Sequence, residues 1–330
     1  MFTQILHPEG YHGRNRYRGF FEGWYIKLVD ATGQNALAII PGISLSREQD
    51  ENHCFIQVLD GRRGTATYHR FPPDVFAARR DTFEIHVGDN RFGLKGMSLD
   101  LDDSENRLVG EVLFHGIQPW PVSLPSPGAM GPFAYLPWME CYHGVVSFDH
   151  TLEGALLIND RHIVWDGGRG YMEKDWGRSF PRAWVWMQSN HFDSEGTSLM
   201  ASVAMIPWLG GTFRGFMVGL WHQGRLLRWA TYTGAQIKRL SVEDDVVSWQ
   251  ILGGLGNTRS LGLELVARRA TSAPLLGPRR GAMSERVPET LNAMISLRLT
   301  QVGDHCVTIY EDEGQYAGLE AVGELSRLQS

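Results

Sequence analysis

The chain has 330 residues, 43% of them hydrophobic, and its 31 basic and 37 acidic side chains give a net charge of −6. That is enough apolar material for two ordinary cores. The basic residues are scattered, which excludes a phosphate-tracking surface and with it nucleic acid as an expected partner. Three widely spaced cysteines, Cys54, Cys141 and Cys306, match neither a disulfide framework nor a zinc pattern and fit a reducing compartment.

The opening residues, MFTQILHPEGYHGRNRYRG, carry no apolar signal core. No apolar run approaches the roughly 18 residues that read as a membrane span; residues 199–209 come nearest and are broken by Ser202 and Pro207. The expectation is a soluble, cytoplasmic protein that touches membranes peripherally to reach its ligand. The first notable segment is FFEGWY at 20–25, where strand geometry would put Glu22 and Trp24 on one face.

Between residues 118 and 137 stand Pro119, Pro121, Pro125, Pro127, Pro132 and Pro137. Proline blocks central-strand pairing, so the spacing predicts a connector at 118–138, with one β domain at 1–117 and a second at 139–330. Directly after it, MECYHG offers His143, whose ordinary pKa suits a base or proton relay, beside Tyr142. Cys141 and His143 share a strand face, too few ligands for a metal site.

Residues 167–190 read GGRGYMEKDWGRSFPRAWVWMQSN. As a strand, this places Tyr171, Glu173 and Asp175 on one face, with Lys174 and Trp176 on the other. Neighbouring carboxylates beside apolar rings can keep one of them protonated near neutrality, a general acid. The alternative is a strand end with exposed charges or a structural Glu–Lys pair. Further on, Trp184, Trp186, Gln188 and Asn190 alternate with Val185, Met187 and Ser189, giving one face with two indoles followed by two amides. Such a face can line a cavity, or the indoles can simply fill a core.

Toward the end of the chain, Leu261, Leu263, Leu265 and Ala267, and then Ala293, Ile295, Leu297 and Leu299, alternate with other residues at period two. Turn signals punctuate the runs at 30–34, 88–90, 159–160, 223–224 and 303–304. The 38 glycines and the absence of any sustained 3.6 period agree with an all-β class, barrel or sandwich-like. The stretch 271–290, with Pro274, Gly277, Pro278, Gly281 and Pro288, predicts a long loop, either a lid or a solvated insertion. The best short-helix candidates lie within 282–292.

No phosphate loop, dinucleotide fingerprint, H-E-x-x-H, G-x-S-x-G or C-x-x-C occurs. Taken together, FFEGWY at 20–25, MGPFAYLPWMECYHG at 130–144, GGRGYMEKDWGRSFPRAWVWMQSNHF at 167–192, ATYTGA at 230–235 and APLLGPRRGAM at 273–283 resemble the tocopherol cyclase family. Plant members tend to carry asparagine where Asp175 stands, so the similarity is to the bacterial branch. The resemblance implies two lipocalin-like antiparallel β-barrel or sandwich domains. It also implies acid-catalysed closure of a prenylated quinol or phenol to a chromanol, with no metal and no cofactor. On that reading Glu173 is the acid and Asp175 modulates or replaces it, with Lys174 beside them. His143 and Glu22 are second-rank proton acceptors. Tyr171, Trp184 and Trp186 line the cation site with Trp176, Trp24 and Tyr142 nearby, and Gln188 and Asn190 bond the ring oxygens. The competing readings are a lipocalin-like carrier and a hydratase of an isoprenoid double bond.

Overall fold

A computed structural model of the protein describes residues 2–13, 16, 18–102, 107–208 and 210–329. The described residues are almost wholly extended: apart from one four-residue helix, Phe2–Ile5, and short 3-10 turns, the elements are antiparallel strands. Contacts divide the chain into two compact units. The first comprises Met1–Phe180 with Leu275–Arg286, and the second Pro181–Pro274 with Val287–Ser330.

In the first unit, one sheet of twelve described strands runs in the order Thr65–Phe71, His53–Asp60, Ala36–Leu45, Phe20–Val29, Arg169–Gly177, Cys141–Ile158, Arg107–His115, Gly96–Asp102, Asn90–Gly93, Glu84–Val87 and Phe76–Ala78, with Arg161–Val164 paired beside Cys141–Ile158. The strand Arg169–Gly177, which carries the consecutive charges, therefore sits mid-sheet, between Phe20–Val29 and Cys141–Ile158. One face of the sheet packs a core that includes Trp24, Ile26, Leu28, Ile39, Ile56, Val112 and Met172.

The second unit has a sheet in the order Arg225–Ala230, Gly211–His222, Ser198–Trp208, Ala183–Ser189, Val307–Gly323, Ala282–Gln301, Leu261–Arg268, Val246–Leu252 and Gln236–Val242. The predicted period-two runs behave as read. Leu263, Leu265, Ala267, Ala293, Ile295, Leu297 and Leu299 enter the core, while Met294 and Arg298 point out. The turn at 223–224 takes positive φ at both Gln223 and Gly224, the backbone twist that a two-residue hairpin requires.

Three expectations need correction. The proline-rich stretch is irregular, but it is no domain boundary, because the strands on either side of it, Arg107–His115 and Cys141–Ile158, pair with each other. The first unit instead runs on to Phe180. The stretch 271–290 is not a long loop. It forms the strand Ala273–Arg279 and the start of Ala282–Gln301. Pro274 and Pro278 are tolerated because, among the described strands, Ala273–Arg279 pairs with Ala282–Gln301 alone. The short helix expected within 282–292 is likewise extended strand. Within the first unit, the Gln57 carboxamide grips this segment by donating to Leu276 O at 2.9 Å and accepting from Leu276 N at 2.7 Å.

Candidate active site

The strand Arg169–Gly177 presents two chemically different faces. On the core side, Lys174 is fully buried and donates to Glu22 Oε1 at 2.6 Å, with neither side chain exposed. The ammonium also donates to the Gly10 and Pro8 carbonyls and to His12 Nδ1 at 2.8 Å. His12 Nε2 lies 3.2 Å from Gln4 O, where only N–H can bond, so Nδ1 is the acceptor toward Lys174. The His12 backbone N–H donates to both Glu22 oxygens at 2.9 Å.

Aromatic rings close the box. Lys174 Nζ lies 4.8 Å from the Trp24 ring centroid and 4.6 Å from that of Trp176. Trp176 stacks between His12 and Tyr142. Burial works to raise the Glu22 carboxyl, but the Lys174 charge holds it below its ordinary range. Burial lowers Lys174, opposed by Glu22. Burial and then Lys174 lower His12, keeping it neutral. Glu22, Lys174, Trp24, Trp176 and Tyr142 thus form a saturated ion-pair box that pins residues 4–12 across the sheet.

On the opposite face, Tyr171 Oη donates to Glu173 Oε2 at 2.6 Å. Burial first, and then the Glu173 charge, push the Tyr171 phenol well above its ordinary value, so it stays a donor. The neighbouring strand brings His143 opposite Asp175. Its Nδ1 lies 3.0 Å from Asp175 Oδ1 and its Nε2 lies 3.5 Å from Glu173 Oε2. Side-chain exposure falls along this chain, from 25% at Asp175 through 11% at His143 to 6% at Glu173. Cys141 Sγ lies 3.9 Å from Asp175 Oδ1 and is kept a thiol by burial and that charge. His143, Glu173 and Asp175 each bring a ligand-type atom within 4.8 Å of the others. The two ring nitrogens of His143 thus face different carboxylates.

Register also places Tyr25 directly opposite Glu173 and Lys27 opposite Tyr171. Lys27 is fully buried, and the sequence reading missed it. A lone cation inside FFEGWYIKLV was the available signal. His12 was missed as well, since it lies outside any periodic run.

Trp184, Trp186 and Gln188 lie on a strand of the second unit, on the face opposite its core residues Val185 and Met187. Trp184 Nε1 donates to Glu320 Oε2 at 2.5 Å. Asn190 falls just past that strand, where its Oδ1 lies 3.0 Å from His191 Nδ1.

A two-unit antiparallel β protein with a Tyr–Glu–His–Asp chain across two adjacent central strands is the class that fold and site define. Over residues 114–323 the chain matches the model of the family described as tocopherol cyclase-like, and it belongs to that family. It is 30% identical over 125 residues to the chloroplastic tocopherol cyclase of Zea mays, a match that covers 34% of this chain and a quarter of the maize protein. Among solved structures, an AttH-type protein from Nitrosomonas europaea aligns over 95% of this chain and 94% of its own, with TM-score 0.55 and 15% identity. Kievitone hydratase from Nectria haematococca aligns over 97% of this chain and 92% of its own, with TM-score 0.50 and 11% identity. These likenesses carry the lipocalin-like β fold expected from the sequence.

Proposed function

We propose that the protein is an enzyme that closes the ring of a prenylated quinol or phenol by acid catalysis, with Glu173 as the proton donor. The observation that carries this reading is the buried Glu173 carboxyl, held by Tyr171 and linked through His143 to the more exposed Asp175. A proton passes from Glu173 to the less substituted carbon of a trisubstituted alkene, leaving a tertiary cation. The quinol oxygen attacks the cation and forms the C–O bond, and its proton returns to the carboxylate. Atoms and electrons balance within substrate and enzyme, so the step calls for no redox partner. Tyr171 orients the carboxyl, and the His143–Asp175 pair links it to the wetter end, where it is protonated before the first turnover. The electron-rich Tyr25 and Tyr171 rings on the same face would stabilise the cation.

Access from a lipid surface belongs to the same reading. Residues 116–139 contain no charged side chain. Within them Leu124 is 66% exposed and Trp138 57%, beside the partly exposed Val122. Arg178 donates to the Trp138 carbonyl, placing a cation beside the exposed indole. Such a patch suits an anionic bilayer that holds an apolar substrate.

The test is incubation of the purified protein with a prenylated trimethylhydroquinone, followed by mass spectrometry. A product of unchanged mass and new retention, lost in Glu173→Gln, is expected. A gain of one water would instead make the protein a hydratase. An unaltered ligand that stays bound would make it a carrier.

A further inference from the structure

Gln188, expected from the sequence to meet the ring oxygens, takes no part in the proton transfer above, and its surroundings are unusual. It lies on strand Ala183–Ser189, whose odd positions Val185 and Met187 enter the second unit's core while Trp184, Trp186 and Gln188 face away from it. The Gln188 side chain is nevertheless fully buried, and neither its Oε1 nor its Nε2 has a hydrogen-bond partner among the described residues. A carboxamide offers two N–H donors and an oxygen with two lone pairs. Burying one unpaired costs about 1–3 kcal/mol, and few native side chains are left that way.

The register explains why nothing in the sheet satisfies it. Gln188 stands opposite Met200 on one side and Gly318 on the other. Methionine is at best a weak acceptor, and glycine contributes no side chain. Next along the same face is Trp186, opposite Ser202 and Glu320, and then Trp184, whose indole N–H is already given to Glu320. Trp184, Trp186 and Met200 are all buried, yet they belong to neither hydrophobic cluster. The face thus carries two indoles, a thioether, the Glu320 carboxylate that holds one indole, Ser202 and one unsatisfied amide, with no side chain at Gly318. That combination recognises a flat apolar body with an oxygen at its edge.

We propose that this face of the second unit is a recognition site for an oxygenated aromatic ring, with the indoles packing on the ring and the Gln188 amide bonding a ring hydroxyl. The proposal rests on the quinol reading for its choice of ligand. A phenolic hydroxyl both donates and accepts, which matches the two ends of the amide. Gln188 is then a specificity-determining residue, because a ring lacking the oxygen would leave the amide unpaired.

The experiment uses the full chain and no turnover. Calorimetry compares 2,3,5-trimethylhydroquinone, kept reduced, with 1,2,4-trimethylbenzene, in the wild type and in Gln188→Met, and the melting temperature of each ligand-free protein is recorded. The wild type is expected to prefer the hydroquinone by about 10- to 100-fold, the factor that one buried hydrogen-bonding mismatch supplies. Gln188→Met is expected to erase that preference and to melt at a higher temperature than the wild type, because a side chain of similar volume replaces an unpaired amide. A Gln188→Met protein that melts lower or does not fold overturns the proposal, since the amide would then be structural. So does an unchanged preference, or a wild type that does not bind the hydroquinone. None of these readouts involves ring closure, so their failure is distinct from failure of the product assay on Glu173→Gln.

Discussion

The two faces of strand Arg169–Gly177 use the same residue types to opposite ends. On the core face, Glu22, Lys174 and His12 make a closed set. Every donor of the ammonium is used, neither charged member of the ion pair is accessible, and the ring of His12, 14% exposed, is locked as a neutral acceptor. On the other face, Glu173, His143 and Asp175 make an open set, with exposure rising toward one end and contacts that alternate acid, base, acid. A buried charge that is fully paired stabilises a conformation. Charges strung in a row toward solvent can pass a proton. The comparison teaches that burial and pairing alone do not tell a sealed carboxylate, Glu22, from one linked to a partly exposed carboxylate, as Glu173 is to Asp175.

The sharpest way to break this comparison is to neutralise one member of each set. Glu173→Gln is expected to lower turnover by about 10²- to 10⁴-fold, the range for loss of a general acid, with little change in the urea midpoint. Lys174→Met is expected to destabilise the protein by about 3–5 kcal/mol, because Glu22 is left buried and unpaired. A Glu173→Gln protein that loses stability as heavily as Lys174→Met would erase the distinction between the faces. The double variant Glu22→Leu/Lys174→Met sharpens it. With both charges gone no buried ion is stranded, so the double variant is expected to be more stable than Lys174→Met alone.

Acid should act first through histidines on the core side of the sheet. His150 is lowered to about 3 by burial, and His12 is lowered by burial and Lys174. Their folded pKa values lie below the unfolded value near 6.5, so the unfolded chain binds more protons. The stability they contribute is full above that value and is lost as pH falls below it. At pH 5 the loss from His150 alone is about 2 kcal/mol. Urea midpoints at pH 7.5 and pH 5.0 measure it, and a His12→Asn/His150→Asn variant should show a smaller drop between the two.

How much of this was legible in the sequence follows from the same strand. Period two put Tyr171, Glu173 and Asp175 together and Lys174 with Trp176 opposite, as found, and it grouped Trp184, Trp186 and Gln188. What it could not give is register between distant segments. Nothing local says that His143 will stand across from Asp175, or that Glu22 will meet Lys174. The same limit hid the domain division. Proline in 118–138 excludes central strands there, but it does not say whether the strands on either side rejoin one sheet, and they do. Lys27 and His12 escaped because a buried cation and a non-periodic segment draw their meaning only from partners elsewhere in the chain.

The weakest expected effect belongs to the uncharged segment 116–139, which differs from both faces in being apolar and exposed. Leu124→Ser/Trp138→Ser is expected to reduce co-sedimentation with phosphatidylcholine–phosphatidylglycerol vesicles by several-fold. The loss follows from the apolar area withdrawn, about 25 cal/mol per Å². Turnover of detergent-dispersed substrate should stay unchanged, because neither residue contacts Glu173, His143 or Asp175. Equal binding of the variant and the wild type to vesicles would remove the bilayer from the account and leave the segment as a plain connector. Reduced binding together with normal turnover in detergent would separate capture of the substrate from the chemistry performed on it.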